Sequence, residues 1–208
     1  MRSRHLVSRG WICGLILILA LPQPLSLAAQ EAKGKAPTPE QQAMMEAWQK
    51  AATPGSNHKL LASLTGDWAF SSRMWMEPGA PPELSSGTAS YTSLMDGRFI
   101  QGQYKGTFGG MAFQGLGLTG YDNLARHFTA TWLDNMGTAI LVMTGTYDPA
   151  TRTFTYRGDM DDAMKAGTKV KIRQVVKVLN DDSHVMEWYE TRGGKEVRTM
   201  EITYTRQK

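Results

Sequence analysis

Of the four histidines in this 208-residue chain, His58, His127 and His184 lie beyond the first thirty residues. Imidazole is the side chain best suited to proton transfer or metal binding near neutral pH. Neither chemistry has a second participant close in sequence. His184 and Glu187 stand three apart in a strand-like run, where side chains alternate, so they face opposite ways. A zinc site needs several converging donors, and a haem site needs an axial ligand over an open pocket. Each histidine therefore reads as a polar or interface residue, and no metal, cofactor or catalytic residue is expected. Neither Gly-x-Ser-x-Gly nor His-Glu-x-x-His occurs.

Gly115-Leu116-Gly117-Leu118-Thr119-Gly120 fits the dinucleotide fingerprint G-x-G-x-x-G letter for letter. That motif works by opening a helix whose N-terminus receives a pyrophosphate, and here a Tyr121-Asp122-Asn123 turn and another strand follow instead. The glycines read as places where a strand coils sharply or another backbone approaches. Asp159-Met160-Asp161-Asp162 opens like a calcium loop, but Met164 and Val170 occupy the places of its glycine and glutamate. It reads as a solvated loop between strands. Trp132 and Asp134 share a strand face with Phe128; if that face is inward, Asp134 needs a donor, either a ligand or a neighbour such as Tyr121 or Arg206.

The only cysteine, Cys13, and three arginines (Arg2, Arg4, Arg9) lie in the first thirty residues. A basic head there precedes an apolar run, Trp11 to Leu21, then Pro22-Gln23-Pro24 and the small residues Ser26 and Ala28. This is the order of a secretory signal peptide over residues 1–28. The run is about half the roughly 20 residues of a membrane span. Without that leader the formal charge of +4 falls to about +1, which argues against nucleic acid as a partner. The remaining chain has no thiol, excluding disulfides and thiolate sites. The expectation is a periplasmic or secreted protein, off the membrane after cleavage and monomeric or homodimeric.

Residues 29–37 read as a flexible linker and 38–64 as a helical segment. Thr38-Pro39-Glu40-Gln41 marks a helix start, with Met44, Trp48 and Ala51 or Ala52 on one stripe until Pro54-Gly55. A short second helix follows, with Asn57 as N-cap and Leu60, Leu61 and Leu64 apolar. Over residues 65–208 the hydrophobic period becomes two, and turn signals such as Asp96-Gly97 and Gly193-Gly194 separate about ten runs. These runs fall near 67–77, 87–95, 98–106, 111–121, 127–134, 138–147, 152–158, 168–179, 184–191 and 195–206. No helix-length connection intervenes, so the fold class is all-β, antiparallel and up-and-down. Val170, Ile172, Gln174, Val176 and Val178 mark a buried face opposite Lys169, Lys171, Arg173 and Lys177. A ten-stranded sheet with one apolar face either packs on a second sheet or closes on itself, and closure, which removes the exposed edges, gives a backbone diameter of roughly 20 Å.

Arg206 shares its phase with Met200, Ile202 and Tyr204, so a guanidinium arrives on the apolar side, where the face of Trp68 would receive it. A Gly66-x-Trp68 opening and an arginine in the last strand resemble the lipocalin and calycin superfamily. His58, Leu64-x-Gly66-x-Trp68, Gly87, Asp96-Gly97-Arg98-Phe99-Ile100, Gly120-Tyr121-Asp122, Phe128, Trp132-x-Asp134, Gly145-x-x-Asp148 and Met200-Glu201-Ile202-x-Tyr204-x-Arg206 extend the likeness. Together they resemble the bacterial family called domain of unknown function 1579. The resemblance implies a calycin-like barrel and carries no catalytic residues.

Twelve methionines beyond the initiator, with Trp75, Trp132 and Trp188, suit either a filled core or an adaptable apolar pocket. The leading expectation is a barrel binding a small hydrophobic or amphipathic molecule without catalysis, with Trp75, Tyr121, Trp132, Asp134 and Trp188 at the site and Trp68 with Arg206 as a structural pair. A haem protein or small-molecule enzyme using His127 or His184, and an envelope protein-interaction module, are the alternatives.

Overall fold

Pro39 pre-sets φ at the first position of α1 (Pro39–Ala52), Glu40 and Lys50 complement the dipole at its two ends, and Pro54-Gly55 prevents its continuation. α2 (Ser56–Ala62) starts again at once. Its N-cap is Gly55, not Asn57, because the His58 side chain turns back and its Nδ1 accepts the Gly55 N–H at 3.0 Å. The computed structural model describes residues 36–208, so the expected leader and most of the expected linker lie outside the described residues. No described helix is long and apolar enough to cross a membrane.

The two helices behave differently. α2 buries His58 and Leu61, with Leu60 and Leu64 packed on the same core, and so covers one end of the barrel. α1 buries nothing: Met44 is 59% and Trp48 77% exposed. Its stripe is short, and α2 already occupies the barrel end it would seek. Asn123 tethers its C-terminal end, donating from Nδ2 to the carbonyls of Ala51 (2.8 Å) and Thr53 (2.9 Å).

Ten strands follow: β1 (Gly66–Met74), β2 (Glu83–Leu94), β3 (Phe99–Phe108), β4 (Met111–Asp122), β5 (His127–Asp134), β6 (Leu141–Asp148), β7 (Thr153–Asp161), β8 (Lys169–Asn180), β9 (Ser183–Arg192) and β10 (Lys195–Arg206). Each pairs antiparallel with its sequence neighbours, and β1 pairs with β10, closing the barrel with Trp68 opposite Arg206. The alternation seen in the sequence of β8 is realised, with Val170, Ile172 and Val178 buried. Asp159 and Asp161 belong to the end of β7, not to a loop.

Gly66 has a physical reason. Its φ is +120°, and a Cβ there would stand 2.7 Å from Nη1 of Arg206. The guanidinium lies 4.2 Å from the Trp68 ring centre and donates to the carbonyls of Thr65, Ser63 and Asp181. The Trp68 indole in turn donates to Leu64 O at 3.0 Å. One arginine thus joins the end of β10, the start of β1 and the turn before β9, with 23% of its side chain exposed, so it closes the barrel end without being fully buried.

Candidate functional site

Inside the barrel is a cavity of about 570 Å³, within the ~300–1,000 Å³ range typical of small-molecule sites. It runs from Leu61 and Leu64 under α2 to the segment 135–140 between β5 and β6, reaching solvent where Met136 and Asp161 are exposed. Asn135 ends β5 here. Its Oδ1 accepts the Gln114 N–H and its Nδ2 donates to Ala112 O, replacing ladder bonds along β4. Met74, Met136, Met160 and Met200 line this region and Met186 lies on the wall, so flexible thioethers surround the mouth.

Toward the covered end, aromatic side chains from β1, β2, β3, β9 and β10 converge. The Tyr104 hydroxyl donates to that of Tyr91 at 3.1 Å. Burial pushes both hydroxyls, and those of Tyr156 and Tyr204, above the usual phenol range, so all four are neutral. His184 stacks on Tyr204 (4.4 Å between ring centres, 11° between planes) and meets Trp68 edge-on at 4.5 Å. Its Nδ1 is buried without a hydrogen-bond partner. Burial, with the Arg206 charge adding to it, lowers its pKa to about 4, so the ring is uncharged at neutral pH.

On the β4–β5 wall the Trp132 indole lies across Gly115, where a Cβ would stand 2.5 Å from the ring. Phe113 is near-parallel to it at 6.3 Å and Tyr104 edge-on at 4.9 Å. Trp132 Nε1 donates to Asp134 Oδ2 at 2.7 Å, and the Met136 N–H donates to Oδ1 at 2.9 Å. Gly120 similarly makes room for Phe99. Two glycines of the G-x-G-x-x-G match, Gly115 and Gly120, therefore accommodate aromatic rings, whereas a sharply coiled strand or a neighbouring backbone is the expectation from sequence.

The structure places Trp132, Asp134 and Trp188 on the cavity wall and pairs Trp68 with Arg206. Trp75 and Tyr121 lie elsewhere. Trp75 follows β1 and departs from the inward phase of Trp68, Phe70, Ser72 and Met74; its N–H bonds Thr199 O and its ring sits under Arg198 at 4.9 Å. Tyr121 is wedged between His58 and Phe128 below α2. Both Tyr121 and Arg206 are at the covered end, so neither supplies the donor of Asp134. His127 opens β5 opposite Asp122, out of phase with inward Phe128, and does not line the cavity. Asp161 pairs with Lys169 (2.6 Å) and Asp162 with Arg192 (2.7 Å); among the described residues no cluster of His, Cys, Asp and Glu is arranged to hold a metal. Of the two histidines of the alternative reading, His184 does line the cavity, whereas Tyr91 and Tyr104 escaped the sequence reading, although each lies in its strand's inward phase.

A closed antiparallel barrel with a helix over one end and an internal apolar cavity defines the calycin-like class. Within that class the chain belongs to the family described as protein of unknown function (DUF1579), whose model matches residues 53–206. Among solved structures, the S-type phycobiliprotein lyase CPES from Guillardia theta is similar, with a TM-score of 0.54 over 74% of this chain and 94% of that one. The two are 14% identical, so the likeness is one of fold. No curated protein matches.

Proposed function

We propose that this protein is an exported carrier or sensor that holds a small, largely apolar molecule inside its barrel without transforming it. The observation that carries this reading is the cavity of about 570 Å³ in a barrel wide enough to be filled by its own side chains. Its lining is aromatic and methionine-rich, adaptable to an apolar body, with a few fixed polar groups at either end. Support for binding over catalysis comes from the carboxylates of the lining, which already have internal partners: Asp134 with Trp132 and Met136, Glu190 with Arg192, Asp161 with Lys169. The similar solved barrel is by name a phycobiliprotein lyase, which lends support to a small-molecule role for a barrel of this shape. Export rests on the leader pattern of residues 1–28 and the absence of cysteine after them.

Native mass spectrometry of the protein purified from its own cells reads both parts at once. The expected spectrum shows a chain lacking residues 1–28 with an additional small-molecule mass that disappears on denaturation. An empty barrel, supported by an empty solvent extract, would sink the carrier reading, and a chain retaining the leader would sink export.

A further inference from the structure

The charge of the cavity wall narrows the chemistry of the occupant, and this step rests on the binding reading above. Three carboxylates line the cavity at its solvent end, Asp134, Asp161 and Glu190, and no lysine or arginine lines it among the described residues. Asp161 and Glu190 are paired with Lys169 and Arg192 from outside the lining. Asp134 has no ion-pair partner among the described residues: its oxygens accept from an indole and a backbone amide, which orient the carboxylate without cancelling its charge.

The nearby surfaces are aromatic. The Trp132 ring is held flat over Gly115, flanked by Phe113 and Tyr104. Indole and phenyl faces carry negative quadrupoles that attract ammonium groups, most strongly where water is excluded. An anionic head would meet the reverse situation. At the covered end the buried imidazole of His184 has an unpartnered Nδ1 and is not a cation at neutral pH. Arg206 is engaged by three carbonyls and lies outside the lining. A carboxylate or phosphate entering this barrel loses hydration with no counter-charge on the wall to replace it.

We infer that the ligand is a cationic amphiphile, its ammonium head seated between Asp134 and the Trp132 face near the mouth and its apolar body lying along the barrel toward Tyr91 and Tyr104.

Three probes of equal chain length test this: dodecyltrimethylammonium, dodecanol and dodecanoate, each below its micellar concentration, displacing the neutral fluorophore N-phenyl-1-naphthylamine from the protein at pH 7. The expected order is dodecyltrimethylammonium, dodecanol, dodecanoate, with about tenfold between first and last, the size of one desolvated cation–π or partly shielded charge contact. Asp134→Asn keeps an acceptor for the indole and removes the charge, so it brings dodecyltrimethylammonium within about threefold of dodecanol while leaving dodecanol unchanged. Asp159→Asn, at an exposed carboxylate of β7 outside the lining, leaves the preference intact. Equal or tighter binding of dodecanoate, or a preference that survives Asp134→Asn, overturns the inference. If dodecanol displaces the fluorophore with no charge preference, only this inference fails; if none of the three does, the carrier reading fails with it. Should Asp134→Asn not fold, the order of the three probes on the unaltered protein decides.

Discussion

Replacing Trp68 with Ala lowers the free energy of unfolding by about 3–5 kcal/mol, the range for removing a large aromatic side chain from a close-packed site. Trp68 is 1% exposed, and three separate contacts meet on its indole. Nε1 donates to Leu64 O, tying β1 to the turn after α2; Arg206 lies over one face; His184 meets the ring edge-on. Truncation leaves a void that the guanidinium cannot fill, because Arg206 remains held by the carbonyls of Ser63, Thr65 and Asp181. It also strands the Leu64 carbonyl. Trp68→Phe keeps a ring under the guanidinium and loses the indole hydrogen bond, so it costs less. Urea unfolding followed by circular dichroism measures both. A loss below about 1 kcal/mol for Trp68→Ala would place the closure of the barrel in its hydrogen-bond ladder alone and contradict this assignment.

Acidification between about pH 6.5 and pH 4 destabilises the fold through His184 by about 3 kcal/mol in total. The sign follows from which state holds the proton more tightly. The unfolded chain binds it with the ordinary histidine pKa of 6.5, whereas the buried ring binds it only near pH 4, so through this window the unfolded state takes up more protons. The stabilising effect is complete above 6.5 and lost as pH falls toward 4. Below that, Asp162, Asp122 and Asp148 add to the loss. Their carboxyls are held low by hydrogen bonds, chiefly from Arg192, the Ala125 amide and the Thr151 hydroxyl respectively, so their contribution fades only as they protonate. His184→Phe preserves the stack on Tyr204 and removes the titration. Its urea midpoint is expected to stay nearly flat from pH 6.5 to 4.5 while that of the unaltered protein falls. Parallel curves would show that the imidazole titrates freely.

The barrel was legible because its evidence is local. β8 alternates over ten positions, the turns carry Asp-Gly and Gly-Gly pairs, and Gly66-x-Trp68 with Arg206 marks the closing seam. The element edges were less so: β2 begins four residues before the expected start, at Glu83 directly after Pro81-Pro82, because β1 keeps a partner as far as Met74 opposite Glu83. The α1 stripe has the spacing of a packing face but no surface left to pack on. At the site, Trp132 and Asp134 could be placed on one strand face with Phe128, yet neither the inward direction of that face nor the donors of Asp134 could be read. They come from its own neighbours, through a loop whose course depends on Asn135 bridging back to β4. Tyr91 was hidden for another reason. β2 is rich in serine and threonine on both faces, so no hydrophobic rhythm shows which of its residues face in, and its meeting with Tyr104 and His184 depends on barrel closure.

Gly117 gives the most direct test of the claim that the barrel works through its cavity. It lines that cavity, and a Cβ there would make only ordinary contacts, 3.5 Å from Thr131 O and 3.7 Å from the Trp132 ring. Leucine at this position therefore fits the strand, and its branched end occupies the lumen. Titration with N-phenyl-1-naphthylamine is expected to show saturable one-to-one binding by the unaltered protein. For Gly117→Leu the expected affinity is at least about tenfold weaker, with an unchanged or higher urea midpoint, since a β-strand gains from losing a glycine. Identical titrations for the two proteins, or no binding by either, would contradict the account.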